Sequence, residues 1–139
     1  MKTILKTKNF YILRFDLGEK LISQLKNFVQ QEKIASAFFI GLGAVQRAEL
    51  AFYDLKTKKY LSKKFTGGFE VANLTGNIAQ ADAEPVIHCH ITLADKNFKT
   101  VAGHLNEAVV AGTIEIFLIP SQNKILRKTD FKTGLKLME

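Results

Sequence analysis

The sequence predicts an α+β fold: a largely antiparallel β-sheet with one main amphipathic helix, in a single domain over residues 1–139. Three observations carry that expectation. One stretch near the start has helical periodicity, the remainder is a succession of β-rich runs with tight connections, and the two types do not alternate as a parallel sheet requires. Residues 10–17 (Phe-Tyr-Ile-Leu-Arg-Phe-Asp-Leu) are rich in aromatic and branched side chains and read as a strand. Residues 18–33 read as the helix, because Leu21, Ile22, Leu25, Phe28 and Val29 fall on one apolar stripe facing a core.

Beyond the helix, residues 35–40 form a strand that runs into Gly41-Leu42-Gly43, and residues 44–53 resume it. A phosphate loop is excluded there, since Gln46 stands where Gly-x-Gly-x-x-Gly needs its third glycine. The two glycines instead mark a bulge or a close backbone approach. Residues 54–58 are a polar turn, 59–65 a short exposed strand, Thr66-Gly67-Gly68 a second turn, and 69–78 a strand interrupted by Gly76. Pro85 opens a strand through Leu93, a position where proline is tolerated, and residues 108–119 and 125–129 complete the set.

Composition narrows the function. The chain has 139 residues, 47% apolar and 24% charged, ordinary values for a folded domain and unlike those of a disordered one. No run approaches the roughly 18 uncharged apolar residues of a membrane helix. The first six residues, Met-Lys-Thr-Ile-Leu-Lys, lack the apolar centre of a secretory signal. A single cysteine, Cys89, cannot form an internal disulfide, so a cytoplasmic protein away from membranes is expected. The net charge of +7 and a pI near 9.5 make polyanions, nucleic acid first, the natural partners. Only Arg14, Arg47 and Arg127 are arginines; the remaining bases are lysines, which favour non-specific phosphate contact over base reading. Lys56, Lys58, Lys59, Lys63 and Lys64 cluster as a candidate nucleic-acid surface, although such a run also serves as a plain solvated face.

The chemistry-bearing side chains are three histidines. In Pro85-Val86-Ile87-His88-Cys89-His90-Ile91-Thr92-Leu93, strand alternation puts His88 and His90 on one face, about 6.6 Å apart along the chain. Ile87, Cys89, Ile91 and Leu93 take the opposite, core-like face, so Cys89 reads as a small buried side chain and not a ligand. His104 follows Gly103 beyond the polar turn at Asp95-Lys96-Asn97, which can return it beside the first pair. Three imidazoles with an open position match a catalytic-type zinc site, while three unconnected histidines remain the plainer alternative. Two acids lie in apolar runs. Glu115 fits an exposed alternating face. Glu70 is equally compatible with that and with a general acid/base beside a metal. No serine sits in a Gly-x-Ser-x-Gly setting.

Taken in order, Gly41-Leu42-Gly43-Ala44-Val45, Tyr53-Asp54, Gly68-Phe69-Glu70-Val71 with Leu74, Gly76-Asn77-Ile78, His88-Cys89-His90, Gly103-His104-Leu105 and Thr113-Ile114-Glu115-Ile116 resemble the PPC domain, the plant and prokaryote conserved domain. The resemblance covers about residues 10–137. It implies an antiparallel sheet with few helices, assembled as a homotrimer. It further implies that His88, His90 and His104 are metal ligands and that Phe69 and Glu70 are the family's Phe-Glu element. The stand-alone prokaryotic members are often described as candidates for DNA binding, and the plant members use the domain for self-association and contacts with transcription factors. The plant AT-hook core, Arg-Gly-Arg flanked by prolines, is absent here, and Gly68 stands where the plant pattern has a basic residue.

The expectation is therefore a homotrimeric regulatory or interaction protein. It would bind Zn²⁺ or another divalent transition metal at His88, His90 and His104, and would associate non-specifically with DNA through its lysines. The alternative is a zinc-dependent enzyme acting on a small molecule at the same histidines, with Glu70 as acid/base.

Overall fold

The computed structural model describes residues 1–139 and runs β1 (Lys2–Lys6), β2 (Tyr11–Asp16), α1 (Leu21–Gln31), β3 (Ala37–Asp54), β4 (Lys59–Ala81), β5 (Glu84–Ala94), β6 (Thr100–Pro120), β7 (Arg127–Thr129) and β8 (Lys136–Met138). All pairings between these strands are antiparallel, so the predicted class is observed. The main sheet has the order β1-β2-β6-β3-β4-β5, and β5 also pairs with the first residues of β6. That extra pairing closes β6, β3, β4 and β5 into a ring. Helix α1 packs against β5 and β6, and β7 and β8 form a separate two-stranded hairpin.

Three strands are much longer than sequence patterning suggests: 18 residues for β3, 23 for β4 and 21 for β6, where about five or six are usual. They keep pairing over that length because they bend at irregularities. The predicted turn at Thr66-Gly67-Gly68 is one of these: the residues lie inside β4, where a positive φ of 128° at Gly67 accompanies a register shift opposite Val45 and Arg47. The glycines there bend a strand instead of reversing it. At Gly41-Leu42-Gly43, where the sequence allows a bulge or a close backbone approach, the extra residue of the register shift lies on β4 between Val71 and Leu74, and β3 makes the close approach. A Cβ on Gly43 would lie 2.0 Å from the Thr113 carbonyl oxygen, so only glycine lets β3 approach β6 so closely. Strand β6 begins at Thr100, eight residues before the run expected from residue 108, and β1 and β8 are strands that patterning did not reveal.

The core fills the ring and the space under the helix. Phe15, Phe39, Leu74, Ile91, Leu93 and Ile114 are among its fully buried side chains. From the helix, Leu21, Leu25, Phe28 and Val29 are buried, the stripe read from the sequence. The helix has no side-chain cap of its own; its exposed amides are taken by Glu107 of β6. The carboxylate accepts from the Ile22 amide at 2.8 Å, the Ser23 amide at 3.1 Å and the Ser23 hydroxyl at 2.5 Å. An acid at a helix N-terminus meets both the unpaired N–H groups and the positive end of the dipole.

Gly76 of β4 is the tightest point beneath the strand that carries the histidines. A Cβ there would lie 2.4 Å from the Phe39 ring, 2.5 Å from Cys89 Cβ and 2.8 Å from the His88 carbonyl oxygen. Gly68, on the same strand, has nothing within 4 Å of such an atom. Gly76→Ala is therefore expected to lower unfolding stability by about 3 kcal/mol in urea denaturation, whereas Gly68→Ala costs under about 0.5 kcal/mol. Equal costs for the two would contradict the packing described.

Candidate metal centre

The β5–β6 hairpin builds the site. His90 pairs directly with His104 across it, and His88 lies two residues before His90 on the same face of β5. Side chains opposite one another on paired strands share a face, so the turn at Asp95-Lys96-Asn97 returns His104 to the other two as its position allowed. Ring centroids are 5.3 Å apart for His88–His90, 5.2 Å for His88–His104 and 5.7 Å for His90–His104. One nitrogen from each ring lies within 4.8 Å of the others. Cys89 points the opposite way into the core, and burial pushes its thiol up to about 12, which leaves it a protonated core residue.

Burial tunes the imidazoles. His88 is half-buried, and desolvation, aided by the charges of His104, Arg127 and His90, lowers its pKa to about 4. His104 is also lowered, first by desolvation and then by His90. Both rings are thus neutral at physiological pH and hold a lone pair for a cation. The Nδ1 of His104 is buried without any hydrogen-bond partner, a cost that a bound cation would remove. This donor set fits a divalent transition metal such as zinc. Tetrahedral ligand nitrogens stand about 3.4 Å apart, and small side-chain rotations from the observed spacing reach that value.

Around the histidines stand residues that the sequence did not single out as site residues. The Arg127 guanidinium donates from Nη2 to Asn77 Oδ1 at 2.8 Å and lies 3.4 Å from His88 Nδ1. Tyr60 sits with its ring 5.3 Å from that of His104. Its scarcity among seventeen lysines was the one signal that marked Arg127. Asn77 stands in the Gly76-Asn77-Ile78 element without a site role, and Tyr60 gave no signal, because their positions depend on the β4 register.

The other sequence candidates are not brought to this cluster. Glu70 is exposed on β4 opposite Ala94, four residues along β5 from His90, or about 13 Å at 3.3 Å per residue. Glu115 is exposed and pairs in register with Arg14. All five clustered lysines are exposed around the β3–β4 turn. They do not share one face: strand alternation turns Lys64, beside Glu49, away from Lys59 and Lys63, and Lys58 donates to the Phe131 carbonyl at 2.9 Å.

A closed antiparallel ring bearing three converging imidazoles on one hairpin defines a small domain with a cluster of metal-ligating type. The chain belongs to the Plants and Prokaryotes Conserved (PCC) domain family, whose model matches residues 3–122. Among solved structures, it is similar to a protein of Bacteroides thetaiotaomicron described as a "putative dna binding protein", with 30% identity, 97% of this chain and 94% of that one covered, and a TM-score of 0.94. It is similar also to a plant- and prokaryote-conserved (PPC) protein of Pyrococcus horikoshii (32% identity, 100% and 97% covered, TM-score 0.88). A metal-containing protein of Archaeoglobus fulgidus matches with 31% identity over 100% of this chain and 99% of that one, at a TM-score of 0.88. Two Synechococcus proteins named bifunctional protein GlmU are 28% identical over 127 residues; the match takes in 89% of this chain and spans 19% of their length. No helix is long and apolar enough to cross a membrane.

The depressed pKa of His88 gives a pH signature. Its ring stays neutral in the folded protein while the unfolded chain takes up a proton, so its contribution is intact above pH about 6.5 and is lost as the pH falls toward 4. In chelator, the melting temperature of the wild type should drop more steeply over that window than that of His88→Asn. Parallel curves would show that His88 titrates normally.

Proposed function

We propose that this protein is a homotrimer in which each chain holds one divalent transition-metal ion, zinc fitting best, on His88, His90 and His104. The convergence of three imidazoles, with an otherwise unpartnered buried nitrogen on His104, is the observation that carries the reading. The metal-containing relative from Archaeoglobus fulgidus agrees with it. Three protein ligands leave a position for an exogenous group, the pattern of reactive rather than closed structural zinc sites. Bound zinc would supply Lewis-acid chemistry there, which keeps a small-molecule activity within this reading.

Trimer assembly is supported by an apolar face. Phe38, Ile40 and Leu42 of β3 and Phe117 and Ile119 of β6 are exposed side by side. The same rows continue through Thr75 and Asn77 of β4 to His90 and His88. Contiguous exposed apolar side chains suit a contact between chains, and burial of this face would set the histidines beside a subunit boundary. The lone, reduced Cys89 is consistent with a cytoplasmic setting.

Native mass spectrometry tests both parts together. The expected species is three chains of 15.6 kDa with three metal ions, and His88→Ala/His90→Ala keeps the mass of three chains but loses the metal. A metal-free wild type would refute the centre, and a single-chain mass would refute the assembly.

A second reading, association with DNA, rests on the net charge of +7 and on the relative described in those words. Lysine-borne contact is expected to be sequence-tolerant and salt-sensitive. Charge reversal at Lys58, Lys59, Lys63 and Lys64 should abolish a low-salt shift of duplex DNA. A shift that survives the reversal would remove those lysines from the interface.

A further inference from the structure

Residues 127–138 lie beyond the segment matched by the family model, yet they build one wall of the histidine site. Strands β7 and β8 pair from Arg127↔Met138 to Thr129↔Lys136. The hairpin is fastened to the barrel by the Tyr53 hydroxyl, which donates to the Thr133 carbonyl at 2.7 Å, by Lys58 on the Phe131 carbonyl, and by an ion pair between Lys136 and Asp82 at 2.5 Å. Between the hairpin and the barrel lies a cavity of about 140 Å³. His88, His104 and Tyr60 line it from the barrel, and Arg127, Leu135 and Lys136 from the hairpin.

The charge in this cavity is unbalanced. No Asp or Glu lines it. Lys136 is neutralised by Asp82, but Arg127 has only neutral acceptors: the Lys136 carbonyl at 2.7 Å from Nη1 and Asn77 Oδ1 at 2.8 Å from Nη2. Its Nε–H is buried with no partner. A guanidinium cannot shed its proton, so a partly buried, unpaired positive charge stands 3.4 Å from a histidine that would itself hold a divalent cation. Two positive centres side by side, with no anion from the protein, call for one from outside.

The geometry points to a binding pocket for a short-chain carboxylate, held by Arg127 and reaching the metal position on His88, His90 and His104. A carboxylate matches the planar fork of a guanidinium better than a point anion does. The remaining lining is apolar, including Val86, Ile87 and Leu135, and suits a short carbon chain over an inorganic oxyanion. At about 30 Å³ per water-sized group, the cavity takes about five non-hydrogen atoms, the size of propionate. This inference rests on the metal reading above and adds the ligand class and the residue that selects it.

The test uses the full-length protein loaded with Co²⁺, whose visible bands report directly on groups entering the metal's surroundings, in chloride-free buffer at pH 7.5. Propionate should change the bands saturably, and Arg127→Gln should weaken it at least tenfold while binding Co²⁺ normally. Leu135→Trp, which fills the cavity and leaves Arg127 in place, should block propionate without lowering Co²⁺ uptake. A wild type that binds no Co²⁺ would overturn the metal reading and this pocket with it. Normal Co²⁺ uptake with no propionate response would overturn the pocket alone. An undiminished response in Arg127→Gln would overturn the assignment of Arg127, and phosphate binding tighter than propionate would overturn the carboxylate class.

Discussion

The pairing of β5 with the first residues of β6 is the contact on which the rest of the molecule depends. It closes the ring of four long strands, and the same few hydrogen-bonded rows set His90 opposite His104. Fold and site are therefore not separable layers. A slip of one residue in that hairpin would send His104 to the other face and bring Gly103 or Leu105 into its place. Gly76 sets how closely β4 and β3 pack against the histidine strand, because the space where its side chain would be is occupied by Phe39, by Cys89 Cβ and by the His88 carbonyl oxygen.

The electrostatics of the site follow from where those rows fall. His88 and His104 are half-buried between the barrel wall and the C-terminal hairpin, so they resist protonation, while His90 faces outward. The protein thus spends burial on keeping lone pairs available and places Arg127 against the same rings. An apolar face on β3 and β6 runs into the cluster from the other side. The histidine cluster, the unpaired charge of Arg127 and the exposed apolar face therefore lie side by side.

Much of this was legible in the sequence, and the limits are physical. Alternation alone separated His88 and His90 from Ile87, Cys89, Ile91 and Leu93, because period-two patterning is a local property. The helix stripe was equally plain. Strand lengths were not, since a glycine that bends a strand and one that ends it look the same in sequence; Thr66-Gly67-Gly68 has the pattern of a turn and is a bulge within β4. His104 had to be placed by a turn of unstated geometry. Arg127, Tyr60 and Asn77 come together only through long-range register and the fastening of the C-terminal hairpin, which no local pattern encodes. For Glu70 the apolar neighbours leave an exposed face and an acid/base beside a metal equally open, and the strand register places it exposed, opposite Ala94 and four residues along β5 from His90.

Glu107 has a consequence for how the chain reaches this structure. An isolated helix of eleven residues without its own cap is marginal in water. Here the groups that would cap it come from a side chain 84 and 85 residues later in the chain. Helix α1 therefore cannot act as an early local nucleus; it consolidates only when β6 has been laid against the rest of the ring. Since the ring itself is made of distant pairings, closure entropy is met before the contacts that offset it, and such topologies fold in milliseconds to seconds. Strand β6 thus completes both the first helix, through Glu107, and the histidine cluster, through His104.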